Sequence, residues 1–289
     1  MKPLWTFEKW LSVSKEKNIS LAEVILEKET DETGAGREEI LEELEKRLKV
    51  MRESLERGLK RDEITPGGMI KDESKVLEKF FCENPPLSGL GAIKTAIYSI
   101  AIAQENAGMG RIVAIPTAGS AGIVPGTFFA FAELEGIDEN RLIEGLLVAA
   151  GVGMVVGEKM EMAGAAGGCQ AECGVAAGMA AAGVMFMLGG RGEEVFHAFA
   201  LGVKNLIGLA CDPVGGLVEV PCVKRNGFAA VQALLAVDMV RGGIRSVIPP
   251  DEVVDAMVDV GRSLPSSLKE TAKGGLAQTK TGLQISERE

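Results

Sequence analysis

The stretch Cys173-Gly-Val-Ala-Ala-Gly-Met-Ala-Ala-Ala-Gly-Val-Met-Phe-Met-Leu-Gly-Gly190 decides the fold. It runs 18 residues without a charge, closed off by Glu172 and Arg191, and so reaches the length at which a membrane-spanning helix has to be considered. Ten of the 18 are Gly or Ala, however. Small residues gain little from lipid, whereas they let neighbouring helices approach closely inside a protein core. The stretch therefore predicts a buried central helix over 171–188.

Working outward, the texture from Pro85 onward is the same: Gly/Ala-rich apolar segments separated by short polar turns. Helices are expected over 93–107, 139–156, 193–207, 225–240 and 251–264. Only 4% of the chain is aromatic while 46% is hydrophobic, so the core has to be built from Ala, Val, Leu, Met and Gly. Before Pro85 the chain changes character, since residues 1–84 hold 36 of the 72 charged side chains. There Leu41, Leu44, Leu48, Met51 and Leu55 recur every three or four residues, which predicts an amphipathic helix over 37–59. The seam is barely two heptads long and suits a cover helix better than a coiled coil. Ser20, with Glu23 three residues later, reads as a helix N-cap. The best strand candidate is Arg111-Ile-Val-Ala-Ile115, leading into the turn Pro116-Thr-Ala-Gly-Ser-Ala-Gly122. The expected fold is mainly α: a charged helical N-terminal region, 1–84, packed on or beside a Gly/Ala-rich helical bundle, 85–289.

Charge and composition exclude several functions. The net charge of −10 argues against an electrostatic footprint for nucleic acid or anionic lipid. A single histidine, His197, rules out a multi-histidine metal site within this chain, and any Ser/His/Asp triad would depend on it. Flanked by Phe196 and Phe199, His197 reads as a partly buried helix residue without a catalytic role. Five cysteines in a chain too large to need disulfide staples point to bound metal or free thiols in a reducing cytoplasm. The first ten residues carry Lys2, Glu8 and Lys9 and no apolar run, so no secretory signal is expected.

Cys169, Cys211 and Cys222 each border Gly, Pro or Asp, where the chain changes direction. Thiolate ligands favour such turns, where backbone amides can point at sulfur. The spacings match neither a zinc ribbon nor a ferredoxin run, so a metal or cluster site and structural thiols both remain open. Cys173, one helical turn after Cys169, reads as a small packed residue, although it could complete a four-thiolate set. Cys82, beside Phe80 and Phe81, reads as packing. The turn at Thr117, Gly119 and Ser120 could hold a carboxylate through amides and hydroxyls, or could simply join core elements. Lys94, Lys159, Glu172, Lys224 and Arg225 are charges near apolar or cysteine-bearing segments, and none stands out as a catalytic base.

The segments Ile115-Pro-Thr-Ala-Gly-Ser-Ala-Gly-Ile-Val-Pro-Gly126, Gly168-Cys-Gln-Ala-Glu172 with Met179-Ala-Ala-Ala-Gly183, Cys211-Asp-Pro-Val-Gly-Gly216, Val220-Pro-Cys-Val-Lys-Arg-Asn226 and Gly274-Gly-Leu-Ala277 resemble the alpha subunit, or catalytic domain, of iron-sulfur-dependent bacterial L-serine dehydratases. The resemblance implies that Cys169, Cys211 and Cys222 hold a [4Fe-4S] cluster, with Cys173 and Cys82 outside the ligand set. It implies a carbon-nitrogen lyase that converts L-serine to pyruvate and ammonia by Lewis-acid elimination of the hydroxyl at an open iron, without pyridoxal phosphate. It also implies a beta subunit on a separate chain that contributes substrate-binding groups, and a substrate role for Thr117, Gly119 and Ser120. Two departures are visible. The end, Ser286-Glu-Arg-Glu289, lacks the terminal cysteine of some relatives, and Thr65-Pro-Gly-Gly-Met-Ile70 differs from the Thr-Gly-Gly-Asp pattern of that region. The competing expectations are a cluster-dependent lyase acting on L-cysteine or another β-substituted amino acid, and a non-catalytic iron-sulfur or zinc protein.

Overall fold

The computed structural model describes residues 5–287; Met1–Leu4 of the N-terminal stretch and Arg288 and Glu289 of the C-terminal one lie outside the described residues. Among the described residues the chain forms thirteen α-helices: α1 (Phe7–Lys17), α2 (Leu21–Thr33), α3 (Arg37–Lys60), α4 (Glu73–Glu83), α5 (Leu90–Ala107), α6 (Ile123–Glu135), α7 (Glu139–Gly157), α8 (Gly164–Gly167), α9 (Cys173–Met187), α10 (Gly192–Lys204), α11 (Cys222–Arg241), α12 (Pro250–Ser263) and α13 (Lys280–Ser286). The mainly α class expected from the sequence is what forms.

Every residue of α9 is buried. The helix is the hub of the bundle, packed by α6, α7, α10 and α11. Its small residues are what permit this, because a Cβ on Gly178 would lie 2.6 Å from the Phe199 ring and 2.7 Å from Val203 Cγ2 on α10. By length and hydropathy α7 and the 169–187 span could both cross a membrane, but here they are interior to a helical core. Their composition is that of backbones meeting at short distance.

The charged helices cover this core. Leu48, Met51 and Leu55 of α3 are buried, and Leu41 and Leu44 pack at its edge, as a cover helix requires. The seam with α5 carries a buried carboxylate: Glu105 accepts from Arg57 Nε at 2.7 Å and from Arg61 Nη1 at 3.4 Å. Ser20 caps α2 by accepting from the Glu23 amide. An aromatic cluster forms where α1 meets α10, with Phe7 4.9 Å from Phe196 and 4.5 Å from Phe199 between ring centroids. Trp10, fully buried, donates its indole N–H to Leu21 O at 3.0 Å. Both oxygens of Asp251, in the first turn of α12, accept from the first amides of α1.

Two expectations are corrected. The strand over 111–115 does not form; among the described residues the only β contact is an isolated bridge between Cys211 and Lys269. The segment is surrounded by helices and has no sheet to join, and Arg57 Nη2 and a turn at Thr117 satisfy its backbone instead. Cys82 is exposed on α4 rather than packed, because its neighbour Phe80 also faces outward on that short helix. Helix starts also shift: α11 begins at Cys222 instead of residue 225, and α9 begins at Cys173 after a separate 3-10 turn, Cys169–Ala171.

Candidate active site

Four segments meet at the N-terminal ends of α9 and α11: the 3-10 turn bearing Cys169, the irregular segment bearing Cys211, the first turn of α11 bearing Cys222, and the 115–122 turn. Cys169 and Cys211 are buried and Cys222 is half-buried. Gly168 enters the Cys169 turn at φ +77°, and a Cβ there would strike Leu209 O at 2.9 Å, so the turn demands glycine. Gln170, fully buried, then stitches this turn to the Cys211 segment. Its amide donates to Leu209 O at 3.1 Å, its Oε1 accepts from Gly208 N at 2.9 Å, and its Nε2 donates to Met257 O of α12 at 2.9 Å. Cys211 is held by its own backbone, donating to Leu268 O at 2.9 Å and accepting from Glu270 N at 2.8 Å.

The 117–122 turn is tied to the cysteines from two sides. Thr117 Oγ1 donates to Glu172 Oε1 at 2.7 Å, and the other carboxylate oxygen of Glu172 accepts from Cys211 Sγ at 3.7 Å. Asn226, fully buried on α11, accepts from Gly122 N at 3.0 Å and donates to Gly119 O at 2.8 Å and to Cys222 O at 2.9 Å. Ser120 is buried and turned inward, its hydroxyl 3.3 Å from Ile115 O. Nearby, buried Glu219 accepts from Gly67 N at 2.7 Å and Met69 N at 3.1 Å, which pins the 65–70 segment next to Cys222.

The electrostatics centre on the sulfurs. Cys169 and Cys173 share a sulfur contact of 3.3 Å, and hydrogen bonding from Cys173 holds the Cys169 thiol below its ordinary value, with the Arg225 charge acting in the same direction against burial. Burial pushes Cys222 up to about 12, with the charge of Cys169 adding to it. Cys211 moves up as well, through burial and then through Glu172, Cys169, Glu270 and Cys222. Cys211 feels both Cys169 and Cys222, and Cys222 feels Cys169, so the three sulfurs lie in one neighbourhood. Burial also raises Glu172, partly offset by the Thr117 hydrogen bond. Gly164 lets its backbone approach this group closely, since a Cβ there would lie 2.6 Å from Glu172 Oε2, 2.8 Å from Cys211 Sγ and 3.1 Å from Glu270 Oε2.

Of the residues singled out from the sequence, Thr117, Gly119, Ser120, Cys169, Cys211, Cys222, Glu172 and Arg225 come together here. Lys94, Lys159 and Lys224 do not: they pair with Glu133, Asp255 and Glu73 away from the sulfurs. His197 stays on α10, where burial lowers its pKa. Sequence reasoning missed Gln170, Asp212, Asn226 and Glu270. The first three lie beside or within the cysteine segments, and Glu270 had no signal at all because its position depends on the bridge between Cys211 and Lys269, 58 residues apart in sequence.

Residues 16–277 match the family model described as serine dehydratase alpha chain. The chain is 41% identical over 278 residues to the probable L-serine dehydratase alpha chain of Bacillus subtilis, covering 96% of this chain and 92% of that one. It is 38% identical over 275 residues to the L-serine dehydratase alpha chain of Peptoniphilus asaccharolyticus, covering 95% and 94%. An L-serine dehydratase of Streptomyces coelicolor is 37% identical over 279 residues, which is 95% of this chain and 61% of that longer one.

Proposed function

The chain belongs to the serine dehydratase alpha-chain family, and we propose that it is the cluster-bearing alpha subunit of an iron-sulfur L-serine dehydratase, converting L-serine to pyruvate and ammonia. The observation that carries this reading is the meeting of Cys169, Cys211 and Cys222 with Glu172 and the 117–122 turn at one end of the bundle.

The donor set fits a cluster. Among the described residues no three His, Cys, Asp or Glu side chains converge tightly enough to grip a single ion. Three soft thiols on three separate segments, none of them paired in a disulfide, suit a thiolate-bound group larger than a single ion. Cys169, Cys211 and Cys222 would hold a [4Fe-4S] cluster, which would supply Lewis acidity to help the serine hydroxyl leave.

The remaining work falls to this chain's own residues. The turn at Thr117, Gly119 and Ser120 receives the substrate carboxylate. Within it the Gly119 amide does the binding, since the Thr117 hydroxyl proton is committed to Glu172, the Ser120 hydroxyl is committed inside the turn, and the Thr117 and Ser120 amides are tied into the capping box between these two residues. Glu172 takes the Cα proton at Oε2. Thr117 holds Oε1 and so orients the carboxylate, and Oε2 becomes free to accept once Cys211 has given up its proton as a thiolate ligand. Transfer of that proton with cleavage of the C3–O bond leaves aminoacrylate, the departing hydroxide taking up a proton and leaving as water; aminoacrylate tautomerises to an imine, which one water hydrolyses to pyruvate and ammonia. A beta subunit on a separate chain completes the substrate site; the greater length of the Streptomyces relative, of which this chain covers 61%, supports a second segment of this kind. Free thiols without a disulfide suit a reducing cytoplasm.

The test is anaerobic purification with the partner chain, followed by product analysis. Pyruvate and ammonia in equal amounts from L-serine, with the broad visible absorbance of an iron-sulfur centre, are expected. Faster release of sulfide from L-cysteine would reassign the substrate. A colourless, iron-free protein that still deaminates serine would refute the cluster assignment.

A further inference from the structure

Arg225 stands on the first turn of α11, three residues after Cys222, and reaches across to the segment that carries Cys211. Its Nη1 donates to Ala210 O at 2.9 Å and its Nη2 to Asp212 Oδ1 at 2.9 Å, so one guanidinium grips both residues that flank Cys211. Asp212 is buried and uses its second oxygen to accept from Leu276 N at 2.8 Å. The Cys211 segment is not a helix and has no regular register of its own. On the Cys222 side its place is set by this fork, and on the other side by Leu268, Glu270 and Leu276. A planar fork fixes distance and angle together, which a lysine ammonium would not. Lys224, the neighbouring cation, points away to Glu73, so the inward direction of Arg225 is not a general property of this turn. The guanidinium charge also acts on the sulfurs of Cys169 and Cys222.

We infer that Arg225 is the positioning residue of the cluster site: it sets where Cys211 stands relative to Cys222 and places a positive charge beside the thiolate-bound group. This rests on the cluster reading above.

The experiment compares wild type, Arg225→Lys, Arg225→Gln and, as a control, Arg241→Gln at the exposed far end of α11. Each is purified anaerobically with the partner chain and loaded with iron and sulfide. Iron retained against a chelator, the midpoint potential of the centre, and thermal unfolding of the unloaded chain are measured. Arg225→Gln is expected to release iron at about 10- to 100-fold lower chelator concentration, the range for loss of an outer-shell partner. Its potential should fall, because the reduced, more negative state loses a stabilising charge. Arg225→Lys should keep the potential but not the iron retention, and Arg241→Gln should match wild type. If Arg225→Gln alone does not fold, Arg225→Gln with Asp212→Asn removes the unpaired charge and carries the same comparison. Wild-type retention and potential in the Gln variant would overturn the inference, as would a loss of melting temperature with retention unchanged. The two readings separate cleanly: failure of wild type to take up iron removes both, whereas equal loading of wild type and variants removes only the role of Arg225.

Discussion

Asn226→Ala tests whether the 117–122 turn is held to the cysteines by one side chain. The amide of Asn226 makes three hydrogen bonds while fully buried, to Gly122 N, Gly119 O and Cys222 O. They are unequal. Cys222 O also lies within reach of the α11 backbone ladder and loses little, and Gly119 is only half-buried, so water can replace that partner. Gly122 is buried, and the space beside it is filled by Ser99 O, which a Cβ on Gly122 would meet at 2.2 Å, so its N–H would be left without a partner. An orphaned buried donor costs about 1–3 kcal/mol and a replaced bond about 1 kcal/mol, for a total of roughly 2–4 kcal/mol. At about 2 °C per kcal/mol for a chain of this size, the unloaded protein should melt roughly 4–8 °C lower by circular dichroism. With the partner chain present, the KM for serine should rise about tenfold, the equivalent of a loss of about 1.4 kcal/mol in substrate binding. Asn226→Asp should do no better, because it keeps an acceptor for Gly122 but sets a carboxylate oxygen against two carbonyls. A variant that melts within a degree or so of wild type and keeps its KM would refute the tether.

Three further outcomes are expected. Glu172→Gln keeps an oxygen for Thr117 but cannot take a proton, so kcat should fall about 100- to 10,000-fold with iron content unchanged; wild-type turnover would remove Glu172 as the base. Cys169→Ala, Cys211→Ala and Cys222→Ala should each lose iron in metal analysis, while Cys173→Ala and exposed Cys82→Ala should retain it; loss in Cys173→Ala would make it a ligand. Gly178→Ala forces a methyl to 2.6 Å from the Phe199 ring and should cost about 1–3 kcal/mol in thermal or denaturant unfolding. An unchanged midpoint would mean that α9 and α10 are not close-packed there.

The division between what the sequence discloses and what it withholds follows from the range of each interaction. α3, α7 and α9 are legible because apolar spacing and small-residue content are local and repeat along the chain, and the structure places α3 and α7 within a residue of the expected ends. The 111–115 strand misled because β-branched residues report only a preference for extended backbone, while a strand exists only if a partner edge does. At the site, residue types in turns mark the cysteines as unusual, and the family resemblance, not the spacing, selects three of them. What no local pattern could reveal is which backbone groups each polar side chain meets: Glu172 reaches Thr117 across 55 residues, and Asn226 reaches Gly119 across 107.

The start of α11 shows why those long-range choices still form a unit. Because the helix begins at Cys222 rather than at residue 225, Arg225 and Asn226 fall three and four positions into it, on its first turn. There they diverge, Arg225 toward the flanks of Cys211 and Asn226 toward the turn at Gly119 and Gly122. A displacement of α11 therefore moves Cys222, the Cys211 segment and the 117–122 turn together instead of opening the distances between them. The irregular segments, which could not fix their own geometry, take it from a helix whose buried face, through Ala229, Ala230, Ala233 and Val237, is locked in the core. The small residues that let helices close on α9 thus also set the precision of the site, and loosening that packing far from the sulfurs should be felt at them.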